Sequence, residues 1–568
     1  MPSKITLNCS FSYHSFRKKG FRISPRLEIN FSDTILAKYA NKSASHIAKI
    51  LKAFKTLKYI SELDLSQMVL LPRSFYLSKV LYLAKRMSNS HIILINDLKR
   101  TEDEYKGVIE SCAKYIRKAK SFDYCFGLWQ MRLGPQLDPL NASKNGWRFI
   151  SLLNRHQPSL KELTIRFSSP FLSQGFWKFE KYPHTLEKLS LISPTFDNAI
   201  TSSLAHLKNL KCFEIDFHPQ TKIEFAISLL QLLPPIASQL KSLTLNLPGN
   251  QLLHRCPALA ELNNNLTKLT QLKLQLNCSK FNSFYSTFKA FKGCPLKHLT
   301  LIAIVESEEQ LGSFAKFIKI FESLKCLKLI LICQNVFAHS ENTQEILRQI
   351  DNLSLLETLS VSIISQENKN NPKYPELPLT FNKIFTKSVP LKVFKIQVEP
   401  LNKMPKQDFF QLINGLAPHA STLIKLRVNV GQYKPDKSEF QTVLDFIQSL
   451  KNIRSLELDC LAVPLRKFFS DIADIIYQMP DLRNLILGEV KGTVTKQSFV
   501  EIVKRILKKR GLKKFDCHTS HEFYYSLASV DSKIDLAEIQ KINPSINQTP
   551  PRSLPIFKLK KSQPKLWS

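Results

Sequence analysis

Glycine is scarce in this sequence, at 14 of 568 residues. Loops that wrap phosphate groups in backbone amides depend on glycine, and the glycine-rich nucleotide-binding motifs do not occur in the chain. The motifs G-x-S-x-G and H-E-x-x-H, which mark serine hydrolases and zinc proteases, are also missing. No apolar run approaches the roughly 18 residues of a membrane-spanning helix. These absences predict a protein that is not an enzyme, uses no cofactor and has no membrane span.

Cysteine is limited to eleven scattered residues, an odd number without a C-x-x-C pair. Several of them, including Cys212, Cys326 and Cys517, fall in predicted strands. This usage is typical of reduced thiols and predicts a cytoplasmic or nuclear protein. The strongest metal-like cluster, Cys517 with His518 and His521, lacks a second ligand pair at zinc spacing, so no metal site is predicted.

Acidic residues are outnumbered, with 46 aspartates and glutamates against 81 lysines and arginines and a formal net charge of +35. A charge excess of this size attracts polyanions, so a nucleic-acid-associated protein is one hypothesis. The excess consists mainly of lysine and is spread along the whole chain. It therefore favours a solvated lysine-rich exterior, and nucleic-acid binding remains the less favoured alternative.

One hexapeptide pattern, L-x-x-L-x-L, recurs thirteen times between residues 160 and 517 when other apolar residues are allowed to substitute. The copies begin at Leu160, Leu186, Leu210, Leu240, Leu269, Leu296, Leu324, Leu356, Leu391, Leu423, Ile453, Leu482 and Leu512. Their mean spacing is about 29 residues, which is typical of a repeat protein. Thirteen copies at this spacing indicate one elongated array.

Each copy predicts a short β-strand. Successive side chains of a strand point to opposite faces, so the last two apolar residues point inward and the residues beside them point outward. One such strand cannot bury its own apolar face, whereas stacked neighbours can. The pattern therefore predicts a solenoid with a parallel sheet along one side.

Several segments between the strands predict half-buried helices, because apolar residues recur at i, i+3, i+4 and i+7. These segments are 223–233, 314–321, 409–416 and 440–450. A repeat of strand and helix resembles the ribonuclease-inhibitor-like branch of the leucine-rich-repeat superfamily. The resemblance implies an α/β horseshoe with a parallel concave sheet and a helical convex side. The sequence departs from that family after the strands, where Ser168 and Pro194 stand at the usual position of asparagine or cysteine.

The ends of the chain differ from the array. Residues 1–45 are predicted to form a β-type cap, because Ile5, Leu7 and Cys9 begin a strict alternation. Residues 1–27 also have the basic, acid-free composition of a mitochondrial presequence, and mitochondrial import stays open. Residues 46–520 are predicted as the solenoid, with degenerate repeats before residue 160. Residues 521–568 are predicted to be a terminal cap and a disordered basic tail.

The outward strand positions supply the candidate binding residues. Glu214 and Asp216 precede a block without acidic outward residues, and Glu457 and Asp459 follow it. The basic outward residues of this block are Lys273, Lys328, Lys395, Lys425 and Arg427. We expect them to form a ladder that binds an acidic protein partner, although a random scatter of solvated residues would produce a similar run.

A solenoid without an active site predicts a non-enzymatic scaffold or adaptor that presents its sheet to a protein partner. The oligomeric state is not indicated by the sequence. The alternative is a substrate receptor of a ubiquitin ligase, since F-box proteins join such arrays to a short helical module. A faint resemblance to the start of an F-box is carried by Leu71, Pro72, Leu77, Val80, Leu81 and Leu83.

Overall fold

The structure is a computed structural model. The residues that it describes are 5–8, 26–30, 62–65, 92–97, 121–126, 150–151, 154–155, 160–167, 179–192, 204–217, 230–247, 262, 265–277, 291–305, 308–333, 341–365, 389–399, 406–429, 436–458, 466–490, 501–502, 505–506, 511–512 and 514–519. The chain divides into two compact units, Met1–Gln334 and Asn335–Ser568. The division falls within the stretch predicted as one solenoid.

The first unit contains twelve described strands. They are β1 (Ile5–Asn8), β2 (Arg26–Asn30), β3 (Glu62–Leu65), β4 (Ile92–Asp97), β5 (Ser121–Phe126), β6 (Glu162–Phe167), β7 (Lys188–Ile192), β8 (Cys212–Asp216), β9 (Ser242–Leu247), β10 (Gln271–Asn277), β11 (His298–Val305) and β12 (Cys326–Cys333). Each strand pairs in parallel with the next strand along the chain. A parallel sheet built from repeating strand units fits the predicted repeat solenoid.

The second unit contains six described strands, and these also pair in parallel in chain order. They are β13 (Thr358–Ser365), β14 (Val393–Glu399), β15 (Lys425–Asn429), β16 (Ser455–Leu458), β17 (Asn484–Val490) and β18 (Lys514–Thr519). Both units are therefore α/β structures that repeat one strand-based element.

The register of the strands follows the leucines. Leu299 pairs with Leu272 on one side and with Leu327 on the other. These three residues are at most 2% exposed, and β11 alternates strictly between inward and outward side chains. A shift of one residue would turn this whole apolar row to solvent, so the repeated leucines specify the register.

The early strands continue this array. Strands β3, β4 and β5 lie at the segments predicted as degenerate repeats; they pair in parallel in chain order, and β5 pairs with β6. Strands β1 and β2 pair in parallel, so this part of the predicted cap is not an antiparallel hairpin. The predicted boundaries at residues 45 and 520 and the predicted basic tail lie outside the described residues, and they remain predictions.

The α-helices whose bounds the structure describes lie between strands along the chain. In the first unit they are α1 (Pro234–Ala237) and α2 (Glu308–Ile318). In the second unit they are α3 (Glu341–Asp351), α4 (Lys406–Leu416), α5 (Lys437–Ser449) and α6 (Arg466–Gln478). Shorter 3₁₀ turns occupy Phe179–Lys181, Leu204–His206 and Ala417–His419. No helix among the described residues is long and apolar enough to cross a membrane.

Three of the predicted helices are confirmed. Helix α4 covers its predicted segment, α5 covers residues 440–449 and α2 covers residues 314–318, and the predicted apolar stripes are buried. Helix α5 begins with a capping box, in which Asp436 accepts the amide of Glu439 at 2.9 Å while Glu439 accepts the amide of Asp436 at 2.8 Å. These two bonds satisfy amides that a helix start leaves unpaired. Most of the fourth predicted segment, 223–233, lies outside the described residues.

A polar side chain directly before the first apolar residue of a repeat often bonds to the preceding repeat. Thr185 donates to the carbonyl of Leu160 at 2.8 Å, and Ser323 donates to the carbonyl of Leu296 at 2.9 Å. Equivalent bonds to turn carbonyls of the preceding repeat come from Asn209, Gln239, Thr422 and Asn452. These bonds satisfy turn carbonyls where the strands begin.

Candidate partner-binding surface

The predicted ladder residues of the first unit, Lys273 on β10 and Lys328 on β12, are both exposed. Their backbones are in register with Thr300, which lies on β11 between them. Adjacent strands lie about 4.8 Å apart, so the two lysines are separated by about 10 Å at the backbone. The first part of the predicted ladder is therefore one row with a gap of a single strand.

The predicted residues of the second unit are arranged differently. Lys395 pairs with Arg427 across β14 and β15, whereas Lys425 pairs with Val393 and thus lies in another row. All three side chains are only half-exposed. The ladder predicted for this unit is therefore two rows of partly covered side chains.

Glu457 joins the basic residues of β15. Its carboxylate lies 3.3 Å from Lys425 and 3.4 Å from Arg427, and its side chain is only 12% exposed. The sequence placed Glu457 outside the basic block, because it follows the block along the chain. Strand β16 packs beside β15, however, and the register sets Glu457 directly opposite Arg427. Two of the five predicted residues are therefore charge-paired within the protein.

The first unit contains a larger basic surface than the one predicted. The residue that follows the first leucine of each repeat is exposed and basic in three of the four repeats that end in β9–β12, at Lys241, Lys297 and Lys325. Together with Lys273 and Lys328 they make five exposed lysines on four consecutive strands or directly before them, and we call this set the basic panel. Strands β9–β12 contain no aspartate or glutamate. The basic panel therefore has no carboxylate within its own strands.

Backbone hydrogen bonds hold the three newly found lysines in one row. The amide of Thr270 donates to the carbonyl of Lys241 at 3.0 Å, the amide of Lys297 to Thr270 at 2.9 Å, and the amide of Lys325 to Lys297 at 2.9 Å. Lys297 and Lys325 are thus one strand apart, whereas Lys241 and Lys297 are two strands apart with Thr270 between them. The regular backbone positions the basic side chains along the edge where the strands begin.

This row was missed because only the three outward positions inside each strand were considered. The signal is visible in the sequence, since lysine directly follows the first leucine of the repeat at Lys161, Lys211, Lys241, Lys297, Lys325, Lys392 and Lys513. Exposure of the position just before the strand is what makes the pattern relevant to binding. An amphipathic strand pattern alone does not reveal that exposure.

Apolar side chains lie beside the basic panel, at the other end of two of its strands. Ile302 and Ile304 of β11 face outward and pair with Ile330 and Ile332 of β12. All four are half-buried. At the register of Ile302, strands β8, β9 and β10 have Asp216, Asn246 and Gln275 instead. We call the four isoleucines the isoleucine block, and its apolar character begins at β11.

The surface at strands β6–β8 differs from the basic panel, because acidic and basic side chains lie next to each other there. Glu187 lies between Lys161 and Lys211, with contacts of 2.7 and 2.8 Å to their ammonium groups. Hydrogen bonds from these two lysines lower the pKa of the Glu187 carboxyl to about 2. Ser190 is buried and donates to Glu214 at 2.8 Å. Charges of both signs are therefore paired on this part of the sheet.

Reactive chemistry is not indicated by the described residues. They hold no group of three possible metal ligands. The cysteines Cys212, Cys294 and Cys326 are not in disulfide bonds. Burial raises the pKa of the Cys294 thiol to about 12 and also raises the pKa of Cys212. The side chains of the Cys517 cluster lie outside the described residues.

Comparison with known proteins identifies no family for the chain. No protein-family model matches the sequence, and no curated protein matches it. Among solved structures, one similar chain is a protein from Bacteroides fragilis determined by the Northeast Structural Genomics Consortium. It is 14% identical with a TM-score of 0.25, and the match covers 65% of this chain and 73% of that chain. Similarity of this degree carries no inference about function.

Proposed function

We propose that this chain is a non-enzymatic interaction scaffold that uses outward sheet positions to hold a protein partner. The observation that supports the proposal is the separation of roles within each strand. In β11, for example, Leu299 and Leu301 are fully buried, whereas His298 and Thr300 face outward. The inward leucines maintain the fold, so the outward residues are available for binding.

The proposal extends to the kind of repeat. We infer a leucine-rich-repeat solenoid of the ribonuclease-inhibitor-like type, a horseshoe with a concave parallel sheet and helices on its convex side. The parallel strand order and the helices α2–α6 between strands support this inference. Cys212, Cys294 and Cys326, which are not in disulfide bonds, support a reducing location such as the cytosol or the nucleus.

The test is affinity purification of the full chain, followed by quantitative mass spectrometry. We expect a specific protein partner that is retained after nuclease treatment. Loss of all specific partners after nuclease treatment, together with binding of purified nucleic acid, would instead support the nucleic-acid alternative. A turnover activity of the purified chain without a specific partner would contradict the scaffold proposal.

The same purification distinguishes the ubiquitin-ligase alternative. A substrate receptor would co-purify with the adaptor and the cullin of its ligase. The segment that resembles an F-box, from Leu71 to Leu83, lies outside the described residues. Absence of both ligase subunits would remove this alternative and leave the general scaffold in place.

A further inference from the structure

The basic panel and the isoleucine block occupy one continuous part of the first unit. Lys328 and Ile330 are two residues apart on the same face of β12, which corresponds to about 7 Å along the strand. From Lys325 to Ile332 the distance is about 23 Å, and the four strands β9–β12 span about 14 Å. A single short peptide segment could therefore cover both features.

The chemistry of the panel favours an acidic ligand. All five panel residues are exposed, and strands β9–β12 supply no carboxylate of their own. Glu322 is exposed in the turn before β12, at the border of this surface. Lys268 and Lys292, which are exposed in the turns leading into β10 and β11, add positive charge at the same edge. A bound acidic segment would meet lysines and no carboxylate on the four strands themselves.

The isoleucine block favours a protein ligand over a nucleic acid. Four outward isoleucines in a two-by-two arrangement form a contiguous apolar patch, and such patches are typical of protein interfaces. The phosphate groups of a nucleic-acid backbone offer no apolar surface to match it. Proteins that bind single strands stack bases on aromatic side chains, and the outward positions of β9–β12 hold no phenylalanine, tyrosine or tryptophan.

We propose that the β9–β12 surface binds an acidic peptide segment of a partner protein, with carboxylates over the basic panel and apolar side chains over the isoleucine block. This inference rests on the proposed scaffold function and names the chemistry of its partner. A length of about 23 Å corresponds to about seven residues of extended chain or about fifteen residues of helix. The apolar anchors supply affinity, and the charges set the encounter rate and the orientation.

The experiment selects ligands from a displayed library of random 15-residue peptides, using the full chain as target. We expect enriched peptides to combine aspartate or glutamate with leucine, isoleucine, valine or phenylalanine. The strongest peptide is then synthesised with a fluorescent label, and its binding is measured by anisotropy at about 50 mM and about 500 mM salt. A labelled single-stranded RNA of equal charge is measured in parallel.

Two double variants separate the two features of the surface. Lys273→Glu with Lys328→Glu should weaken peptide binding at least tenfold at low salt and much less at high salt. Ile302→Ser with Ile330→Ser should weaken it severalfold at both salt concentrations. Matched controls are Lys316→Glu with Lys319→Glu, which change exposed lysines at and just after the end of α2, and Ile192→Ser with Ile486→Ser on β7 and β17. Both controls should bind as the unchanged protein does.

Folding of each variant is checked by thermal unfolding. If a reversal destabilises the chain, neutralisation of Lys273 and Lys328 to glutamine provides a milder change, and it should weaken binding in the same direction. Failure to enrich any peptide, or equal binding by the panel and control variants, would overturn the inference. Tighter binding of RNA than of the peptide, unaffected by the isoleucine changes, would also overturn it.

The partner found by affinity purification distinguishes this inference from the scaffold function. A partner retained equally by the unchanged chain and by the Lys273 and Lys328 double variant places the interface elsewhere, so the scaffold stands and the β9–β12 assignment falls. Absence of both a partner and an enriched peptide removes the two proposals together.

Discussion

Strands β6–β8 and strands β9–β12 share one inward pattern but present different outward surfaces. Directly before β6–β8, lysines alternate with a carboxylate, since Glu187 contacts both Lys161 and Lys211. In β9–β12, the charged side chains of the strands are all lysines. Because both regions keep the same buried leucines, the difference lies only in positions that the fold leaves free. The buried leucines therefore specify the sheet, whereas the outward residues specify what the sheet can bind.

Ion pairing makes the β6–β8 region a weaker candidate than the β9–β12 region for binding a charged partner. A partner that approached Glu187 would have to compete with Lys161 and Lys211, which already contact its carboxylate. Exposed ion pairs of this kind contribute little to stability, but they neutralise each other's field. Strands β9–β12 contain no aspartate or glutamate, so the exposed lysines Lys273 and Lys328 have no carboxylate beside them on these strands.

The largest predicted effect tests what the two regions have in common. Leu189 of β7 and Leu299 of β11 are both fully buried. Replacing either one by aspartate should destabilise the protein by several kcal/mol, because an unpaired carboxylate in the core must stay charged at high cost or take up a proton. Equilibrium denaturation of the two variants measures the effect, and we expect similar losses.

Thr300→Asp is the control for this prediction. Thr300 follows Leu299 but faces outward, so the substitution should cost under about 1 kcal/mol. Equal destabilisation by Leu299→Asp and Thr300→Asp would contradict the observed register. A loss confined to one of the two leucine variants would show that the regions differ in their cores as well as on their surfaces.

A smaller effect distinguishes the outward faces. Ser190 and Thr300 occupy equivalent outward positions on β7 and β11, but Ser190 is 1% exposed and donates to the carboxylate of Glu214. Ser190→Ala should cost about 1–2 kcal/mol, since hydrogen bonds to charged groups exceed the usual value. Thr300→Ala should cost under about 0.5 kcal/mol. Similar losses in thermal or chemical denaturation would show that the outward face of β7 is no more structured than that of β11.

The repeated parallel strands were largely predictable from sequence, because a short apolar pattern that recurs along the chain specifies each of them. Thirteen apolar triplets with the same spacing specify strand, register and parallel neighbour at once, as the pairing of Leu272, Leu299 and Leu327 shows. The helices α3 and α6 were not predicted, although α6 buries Ile472 and Ile476 on one face. The division after Gln334 was also not predicted, because repeats continue across it without a change in composition.

The binding surface was less predictable, because side-chain pairing depends on neighbours in space. Lys425 and Arg427 were grouped with Lys273 by sequence order, but Glu457 of the next strand pairs with both. The lysines at 241, 297 and 325 were passed over, because their position precedes the regular strand alternation. A count of charges along the chain cannot separate a paired basic residue from one that is available.

Charge reversal in the row before the strands should lower the thermal stability of the β6–β8 region but not that of the β9–β12 region. Lys161→Glu with Lys211→Glu would place three carboxylates in succession about 5 Å apart at the backbone, and we expect a lower melting temperature. Lys241→Glu with Lys297→Glu would introduce two carboxylates into a row of lysines, one of them next to Lys325, so we expect no loss of thermal stability. The two variants carry the same change in net charge, and each is therefore the control for the other. Equal shifts would mean that net charge, rather than local pairing, controls the response.

The smallest predicted effect is the pH dependence of folding stability that Glu187 causes in the β6–β8 region. A single substitution should create the same dependence in the β9–β12 region. Lys161 and Lys211 hold the pKa of Glu187 at about 2, below its value of about 4.5 in an unfolded chain. A depressed pKa stabilises the folded state above pH 4.5, and this stabilisation is lost as the pH falls through 2. The stability difference between the unchanged protein and Glu187→Gln should therefore shrink as the pH falls from about 6 to about 3 in urea denaturation.

Thr270 provides the corresponding position in the basic panel, because it lies between Lys241 and Lys297 as Glu187 lies between Lys161 and Lys211. Thr270→Glu should create a second carboxylate with a lowered pKa, and hence a second contribution to stability that is present above pH 4.5 and declines below it. The same substitution should weaken binding of the selected acidic peptide, since it neutralises the centre of the row. The contrary result is that Thr270→Glu changes neither the pH dependence of folding stability nor the binding of the peptide. That result would show that the two regions differ by more than one carboxylate and that the side chains of the panel do not converge as the backbone register indicates.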